Sequence, residues 1–471
     1  MTVTFDNSYA RLPDRFYARQ TPTPVAAPST LIVNKDLARE LGFDPDDLSA
    51  EVLTGDTLLP GTDPIAQVYA GHQFGGWVPR LGDGRACLLG EVTGEFGPND
   101  TRRDVQLKGS GVTPFSRRGD GRAWLGPVMR EYLVSEAMHA LGIPTTRALG
   151  AALTGERVQR ERGYPGAILT RVAASHIRVG TFQYFAGQND IEGLRLLTDY
   201  AASRHYPNAK NPMEFLDHVV RAQAKLIAGW MSVGFLHGVM NTDNMAISGE
   251  TIDYGPCAFL DAYHPRTVFS SIDQTGRYAF AAQPDMGMWN LAQLATALLP
   301  LHPDEDAAVE EASAVLNQFP DLFHKAWTAK FRAKLGLTRS EDGDGKLISG
   351  LLSRMASSQA DFTLTFSALN TRDASHEVSD EGAWDSWAPD WQARLAREQD
   401  PDTTMARANP VVIPRNHQIE AAIQAGIDGN YAPFHRLAAA FTRPFAPEQE
   451  DMDLTRAPTP DQRVLRTFCG T

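Results

Sequence analysis

The character of the chain changes near residue 181, and this change limits the possible folds more than any other feature of the sequence. Before that point, apolar or alternating runs such as "ACLLGEV" and "RRDVQLKG" are separated by a segment rich in Gly, Pro and Asn, a pattern typical of a hairpin. After it, long segments such as "PMEFLDHVVRAQAKLIAGWMSVGFLHG" indicate helices. The sequence therefore predicts an α+β protein, β-rich at first and helical afterwards.

The length of 471 residues exceeds what one hydrophobic core usually serves, which favours two lobes. We predict an N-terminal lobe over residues 1–180 with an irregular, Pro-rich extension wrapped around it, a helical C-terminal lobe over residues 181–450, and a tail over residues 451–471. One helix, "GPVMREYLVSEAMHALGI", interrupts the strands of the first lobe. Pro127 suits its first position and Gly142 its end.

The most informative motif lies in residues 236–259, "LHGVMNTDNMAISGETIDYGPCAF". His237-Gly238 is followed by Asn244, an apolar segment expected to form a short hairpin, and Asp253-Tyr254-Gly255. A protein kinase places an Asn and an Asp in this order to hold its metal ions. Carboxylate and amide oxygens are ligands that Mg²⁺ and Mn²⁺ prefer. The motif predicts a two-lobed, protein-kinase-like fold, with an enlarged helical C-lobe and a metal site at Asn244 and Asp253.

One part of a kinase site is missing from this motif. Val239 stands where a kinase keeps the Asp that accepts a proton from the substrate hydroxyl, and Asp243 lies beside the predicted metal ligand Asn244 instead. A carboxylate moved four residues along the chain cannot serve the same nucleophile in the same pose. Either phosphoryl transfer has been lost, or the nucleotide and its acceptor are arranged differently.

A lysine and a glutamate in the β-rich part complete the comparison with kinases. Lys108 ends the strand "DVQLKG", and Glu131 follows 23 residues later in the predicted helix. In a kinase such a lysine holds nucleotide phosphates and pairs with a helix glutamate. Glu136 on another face of the helix is a competitor, and in isolation the pair would be a surface lysine and a surface glutamate.

Glycines and arginines supply the remaining candidates. Glycines let backbone N–H groups approach phosphate oxygens, and arginines bind phosphates through two donors. The candidates are Gly82, Gly84 and Arg85 in "RLGDGRA", Asp120 and Gly121 in the loop "GSGVTPFSRRGDGRAWLGP", and Arg171 and Arg178 near the end of the first lobe. Each is weak evidence alone, because such turns and arginines are common on protein surfaces.

Motifs along nearly the whole chain resemble those of the selenoprotein O family of kinase-fold proteins. They include "YAGHQFGGWVPRLGDGRA", "QLKGSGVTPFSRRGDGRA", "MREYLVSEAMHALGIPTTRAL", "LHGVMNTDNM", "QPDMGMWNLAQLATALLPL" and "NPVVIPRN", in the order of that family. The resemblance implies that ATP binds in an inverted orientation and that AMP is transferred to Ser, Thr or Tyr hydroxyls of proteins, with release of pyrophosphate. Some relatives use UTP with Mn²⁺ and transfer UMP.

The resemblance also implies roles for individual residues. Asp243 would accept the proton, Asn244 and Asp253 would hold Mg²⁺ or Mn²⁺, and Glu131 would pair with Lys108. The nucleotide would contact Gly82, Gly84, Arg85, Lys108, Asp120, Gly121, Arg171, Arg178 and Asp253. Cys469 occupies the place of the family's C-terminal selenocysteine or cysteine, but "PRTVFSSID" lacks a partner cysteine, so a free thiol and a redox role both stay open.

The bulk properties restrict the partners. A formal net charge of −13 opposes general binding to nucleic acid or anionic lipid, and no segment reaches the roughly 18 apolar residues of a membrane span. Without an export signal at the N-terminus, we expect a cytoplasmic protein that binds ATP and hydroxyl-bearing protein substrates, by family analogy redox-related ones. The alternative is a catalytically inactive, nucleotide-binding pseudokinase that acts as a regulator. Val239 argues against an ordinary phosphotransferase.

Overall fold

The computed structural model describes residues 3–97, 100–378 and 382–468. The first part of the chain forms most of the strands. They are β1 (Tyr17–Arg19), β2 (Ser29–Val33), β3 (Ile65–Gln67), β4 (Gly71–Gln73), β5 (Gly76–Val78), β6 (Ala86–Gly97), β7 (Asp100–Lys108), β8 (Ala123–Trp124), β9 (Arg147–Gln159) and β10 (Gly163–Ala173), followed later by β11 (Phe235–Leu236) and β12 (Ala258–Phe259).

Helices dominate the rest. In chain order they are α1 (Lys35–Glu40), α2 (Ala50–Thr54), α3 (Leu125–Ala140), α4 (Val179–Gly187), α5 (Ile191–His205), α6 (Pro212–Ser232), α7 (Gln283–Leu298), α8 (Glu305–Leu316), α9 (Phe319–Lys334), α10 (Asp344–Ser358), α11 (Phe362–Ala368), α12 (Ala388–Leu395), α13 (Pro401–Ala408), α14 (Asn416–Ile427) and α15 (Ala432–Ala440). Among the described residues, no helix combines the length and the apolar character needed to cross a membrane.

Eight strands form one antiparallel sheet with the order β1-β3-β6-β7-β10-β9-β2, and β8 pairs with β10. The mixed organisation predicted from the sequence, an antiparallel sheet followed by many helices, is thereby confirmed. The Pro-rich beginning of the chain is less irregular than expected. It supplies β1, which pairs with β3 at one edge of the sheet, and β2, which pairs with β9 at the other edge.

The sheet presents two faces with different partners. Val105 and Leu107 of β7 belong to a small apolar cluster with α1 and α2, whereas Gln106 and Lys108 alternate with them and point to the other face. On the neighbouring strand β10, Arg171 lies opposite Gln106. The pleat therefore directs Lys108 and Arg171 to the face that packs against α3 and the helical part.

Helix α3 differs slightly from the prediction. It begins at Leu125, so that Pro127 is its third residue rather than its first. Its end agrees, because Gly142 has a φ of +73°, a conformation that glycine adopts readily, and its N–H donates to the carbonyl of His139. Almost every residue of α3 is buried between the sheet and α14 and α15.

Helix α6 ends where the site begins. The side chain of Asn211 caps its N-terminus by accepting hydrogen bonds from the N–H groups of Met213 and Glu214. The helix stops at Ser232, and the chain continues as β11 towards His237.

The short hairpin expected between Asn244 and Asp253 does not form. That segment makes isolated bridges instead, Ala246 with Arg178 and Thr251 with Thr145. The N–H of Thr251 donates to the carbonyl of Pro144 and that of Ile247 to the carbonyl of Ile177, which ties this segment to the chain next to β9 and β10.

Candidate active site

A cavity of about 600 Å³ lies between the face of the sheet that carries Lys108 and the segment 239–256. It is lined by nearly all the candidates, namely Gly82, Gly84, Arg85, Lys108, Asp120, Gly121, Arg171, Arg178, Asp243, Asn244 and Asp253. Glu131 lies behind Lys108 and lines an adjoining smaller pocket. Residues up to 171 positions apart in the sequence are therefore brought into one site.

Lys108 connects the sheet, helix α3 and the kinase-like motif. Its Nζ donates to Glu131 at 2.6 Å and to Asp253 at 2.8 Å. Arg171 makes the same two connections, with Nη1 3.2 Å from Glu131 and 2.6 Å from Asp253. Glu136, the competitor of Glu131, points elsewhere and forms an ion pair with Arg147.

Asp253 is the electrostatic centre of this network. Its carboxylate accepts hydrogen bonds from Lys108, Arg171 and Arg178, the last at 2.8 Å. Burial alone would raise the pKa of Asp253, but these three cations outweigh it and hold the pKa well below its ordinary value. The residue adopts a φ of +62°, which is uncommon for a non-glycine residue and typical of functional sites.

Asp243 lines the same cavity but occupies a very different environment. It is 7% exposed, and its Oδ2 accepts a hydrogen bond of 3.2 Å from Gln73 Nε2. Its Oδ1 is buried and has no hydrogen-bond partner within the described residues. Burial raises the pKa of Asp243 to about 6, although Arg178 opposes the shift. Such a weakly solvated carboxylate is better suited to accept a proton than an ordinary surface Asp.

Three oxygen-bearing side chains can be tested as a metal site. Asn244 donates through Nδ2 to the carbonyl of Val239 at 3.1 Å, so its amide oxygen is the group that remains for a ligand. Asp243 and Asp253 line the same cavity, and all three offer the hard oxygens that Mg²⁺ and Mn²⁺ prefer. In the described parts of the chain, no three His, Cys, Asp or Glu side chains converge on one point. The residues therefore fit an ion whose remaining ligands are phosphate oxygens and water.

The predicted glycines act partly through packing. Gly82 has a φ of +86°, and a β-carbon there would lie 2.4 Å from the ring of Phe115. Gly121 has a φ of +66°, and its β-carbon would lie 2.0 Å from the carbonyl oxygen of Gly111. Gly82 is therefore required where Phe115 of the loop 109–122 packs on the turn at residues 82–85, and Gly121 is required where the two ends of that loop meet.

The charged residues of this loop differ in how they are engaged. Asp120 forms an ion pair with Arg160 at 2.8 Å and accepts a hydrogen bond from the N–H of Arg122. The guanidinium of Arg85 forms no hydrogen bond or ion pair with the described residues, although it lines the cavity. Arg85 is thus a cation available to an anionic ligand, whereas Asp120 fixes the loop.

Sequence reasoning missed several residues of the cavity. Asp83, between two predicted glycines, is buried and accepts hydrogen bonds from the N–H of Gln67 and the side chain of Gln106, and burial raises its pKa to about 6. Arg160 and Gln73 also line the cavity. Gln73 meets Asp243, and Arg160 meets Asp120, only in the folded chain, so neither position carried a signal. Asp83 lay within the predicted turn and was overlooked.

Neither Cys87 nor Cys257 lines the cavity. Cys87 and Cys257 are buried free thiols, and burial raises the pKa of Cys257 to about 12. Cys469 lies outside the described residues. Thr467, two positions earlier, donates through its hydroxyl to the carbonyl of Pro256 at 2.6 Å, and Pro256 lines the cavity.

Comparison with known families agrees with this geometry. Residues 1–442 match the model of the family described as protein adenylyltransferase SelO, and the chain belongs to this family. The predicted resemblance is confirmed. Among curated proteins, the chain is 57% identical over 473 residues to the protein nucleotidyltransferase YdiU of Ruegeria pomeroyi and 58% identical over 475 residues to that of Roseobacter denitrificans. The YdiU protein of Bradyrhizobium diazoefficiens is 56% identical over 494 residues, and in all three cases both chains are covered in full.

Proposed function

We propose that this chain is a metal-dependent protein adenylyltransferase that transfers AMP from ATP to Ser, Thr or Tyr hydroxyls of proteins and releases pyrophosphate. The name of the family and the names of the relatives support the nucleotidyl-transfer class. The cavity, with its excess of cations and two contrasting carboxylates, supports the particular chemistry. We also propose that the enzyme works in the cytoplasm and, by family analogy, that its protein substrates are redox-related.

The proposed fold is that of a two-lobed protein kinase with an enlarged helical C-lobe. The connection of Lys108 to both Glu131 and Asp253 supports it, because kinases bring a strand lysine, a helix glutamate and a metal-binding Asp together in the same way. The chain boundaries we assign to the lobes, residues 1–180 and 181–450, remain predictions.

The position of Asp243 is the observation that carries the proposal. Val239, at the place of the kinase base, lines the cavity with a side chain that cannot accept a proton, while Asp243 offers a carboxylate whose pKa is raised to about 6. If the triphosphate binds in the inverted orientation, the α-phosphorus meets the acceptor instead of the γ-phosphorus. A displaced base is then required, and Asp243 supplies it.

The proposed step follows from this arrangement. Asp243 takes the proton of the acceptor hydroxyl as the oxygen attacks the α-phosphorus, a P–O bond forms, and the bond to pyrophosphate breaks. Lys108, Arg171 and Arg178 stabilise the phosphate charge, and Arg178 Nη2 is buried without a partner within the described residues. Mg²⁺ or Mn²⁺, held by Asn244 and Asp253, would neutralise further charge on the phosphates.

A second candidate is a nucleotide-binding regulator without transferase activity. One observation favours it: Asp253, a proposed metal ligand, is already neutralised by three cations. A metal ion must compete with these contacts, and a protein that fails to bind it would hold the nucleotide without transferring any part of it.

Labelled nucleotides separate these functions. The protein is incubated with Mg²⁺ or Mn²⁺ and ATP labelled at either the α- or the γ-phosphate, and protein-bound label is measured; α-labelled UTP is tested in parallel. We expect label from the α-phosphate only. Label from the γ-phosphate would identify a phosphotransferase and refute the inverted orientation, whereas nucleotide binding without any label would support the regulator.

A further inference from the structure

The hairpin formed by β4 and β5, residues 71–78, lies directly against the loop that carries Asp243. The N–H of His72 donates to Thr242 Oγ1 at 2.7 Å, and the N–H of Phe74 donates to Asn241 Oδ1 at 2.9 Å. The tip of the hairpin is thus hydrogen-bonded to the two residues that precede Asp243. These contacts join segments about 170 positions apart in the sequence.

The hairpin also reaches the carboxylate itself. Gln73 Nε2 donates a hydrogen bond of 3.2 Å to Asp243 Oδ2. Within the described residues, no other group donates to this carboxylate. On the other side, a β-carbon at Gly71 would lie 2.8 Å from Asp243 Oδ1 and 3.1 Å from its Cβ. The carboxylate is therefore confined between the amide of Gln73 and the backbone of Gly71.

We propose that Gln73 is a positioning residue that acts through Asp243 in the transfer reaction. This inference rests on the proposed function. The amide group of Gln73 fixes the rotation of the carboxylate about the Cβ–Cγ bond, because an oxygen that accepts a hydrogen bond cannot turn away without losing it. Among the described residues, no arginine donates to this carboxylate from that position; Arg178 donates to the backbone carbonyl of Asp243 at 2.7 Å instead.

The substitution Gln73→Leu tests the assignment, because leucine has a similar size and no donor. The matched control is Gln183→Leu. Gln183 donates to the ring of His72 at 2.9 Å, so it supports the same hairpin without touching Asp243. We expect Gln73→Leu to lower kcat for transfer of the α-label by about 10- to 100-fold, with KM for ATP and the melting temperature nearly unchanged. The control should stay within about twofold of the wild type.

A double-mutant cycle separates positioning from a general structural role. If Gln73 acts through Asp243, adding Gln73→Leu to Asp243→Asn causes no further loss, because the group that it positions is already gone. Three outcomes would overturn the assignment. The losses of kcat in the two single variants multiply in the double variant, Gln73→Leu and Gln183→Leu lose equal activity, or Gln73→Leu keeps the kcat of the wild type. A wild-type protein that transfers no α-label would refute the proposed function and this inference together, whereas an active wild type with an equally active Gln73→Leu refutes the inference alone.

Discussion

Arg178 donates a hydrogen bond of 2.7 Å to the backbone carbonyl of Asp243. The same nitrogen, Nη1, lies 2.8 Å from the carboxylate of Asp253. One buried guanidinium thus fixes the distance between the proposed proton acceptor and the proposed metal ligand, which enter the cavity from different loops.

The first prediction concerns this guanidinium. Arg178→Lys keeps the charge but replaces a planar fork with a single ammonium, which cannot maintain both contacts and reach the phosphates. We expect transfer of AMP to fall by about 10²-fold or more, since small displacements of reacting groups have effects of that size. The measurement is kcat/KM with α-labelled ATP. Arg39→Lys, at an exposed ion pair on α1, serves as the control, and equal activity of both variants would contradict the prediction.

The second prediction concerns the metal. Asp253→Asn removes a proposed ligand and at the same time leaves Lys108, Arg171 and Arg178 without their shared anion. Transfer should fall by about 10³-fold because the metal no longer stabilises the phosphate charge. Binding of ATP in the presence of EDTA should be unchanged or tighter, because the cavity becomes more positive. If metal-free binding weakens together with transfer, Asp253 has a structural role instead.

The parts of the site that could be predicted are those with a local signature. Asn244 and the triplet that begins at Asp253 follow one another at a spacing that protein kinases share, and Lys108 ends an apolar strand. The prediction of a hairpin between Asn244 and Asp253 was wrong. The local pattern could not show that the backbone of this segment would pair with Thr145 and Arg178 instead. Gln73 was missed for the same reason, since the hydrogen bond that connects it to Asp243 joins residues 170 positions apart.

The third prediction concerns the proton acceptor. Asp243→Asn preserves the shape of the side chain and removes its basicity, so transfer should fall by about 10²- to 10⁴-fold. Affinity for ATP should change little, because the proposed phosphate-binding groups are Lys108, Arg171 and Arg178 and not the carboxylate of Asp243. Rapid-quench measurement of transfer and a separate titration of nucleotide binding distinguish the two effects. A loss below about tenfold would leave Asp243 with a structural role only.

The last prediction concerns stability and a lysine far from the cavity. Lys334, at the end of α9, is buried with its ammonium 4.4 Å from the ring centroid of Phe366 and 3.5 Å from the carbonyl of Ala408. It has no carboxylate partner in the described parts of the chain. Burial, and then the charge of Lys330, lower the pKa of Lys334 to about 7 from its ordinary value of 10.5.

The sign of the effect follows from proton binding. Between pH 7 and 10.5 the unfolded chain holds a proton on Lys334 that the folded chain lacks, so this group makes the free energy of unfolding rise with pH by about 1.4 kcal/mol per unit. Lys334→Met removes the contribution. The variant should therefore be more stable than the wild type by an amount that is largest below pH 7 and shrinks as the pH rises. Denaturant unfolding at about pH 6 and about pH 9 measures it, with the exposed Lys325→Met on the same helix as control. A difference between Lys334→Met and wild type that is independent of pH would show that the buried ammonium keeps its proton, because the ring of Phe366 would then stabilise the charge as effectively as water does.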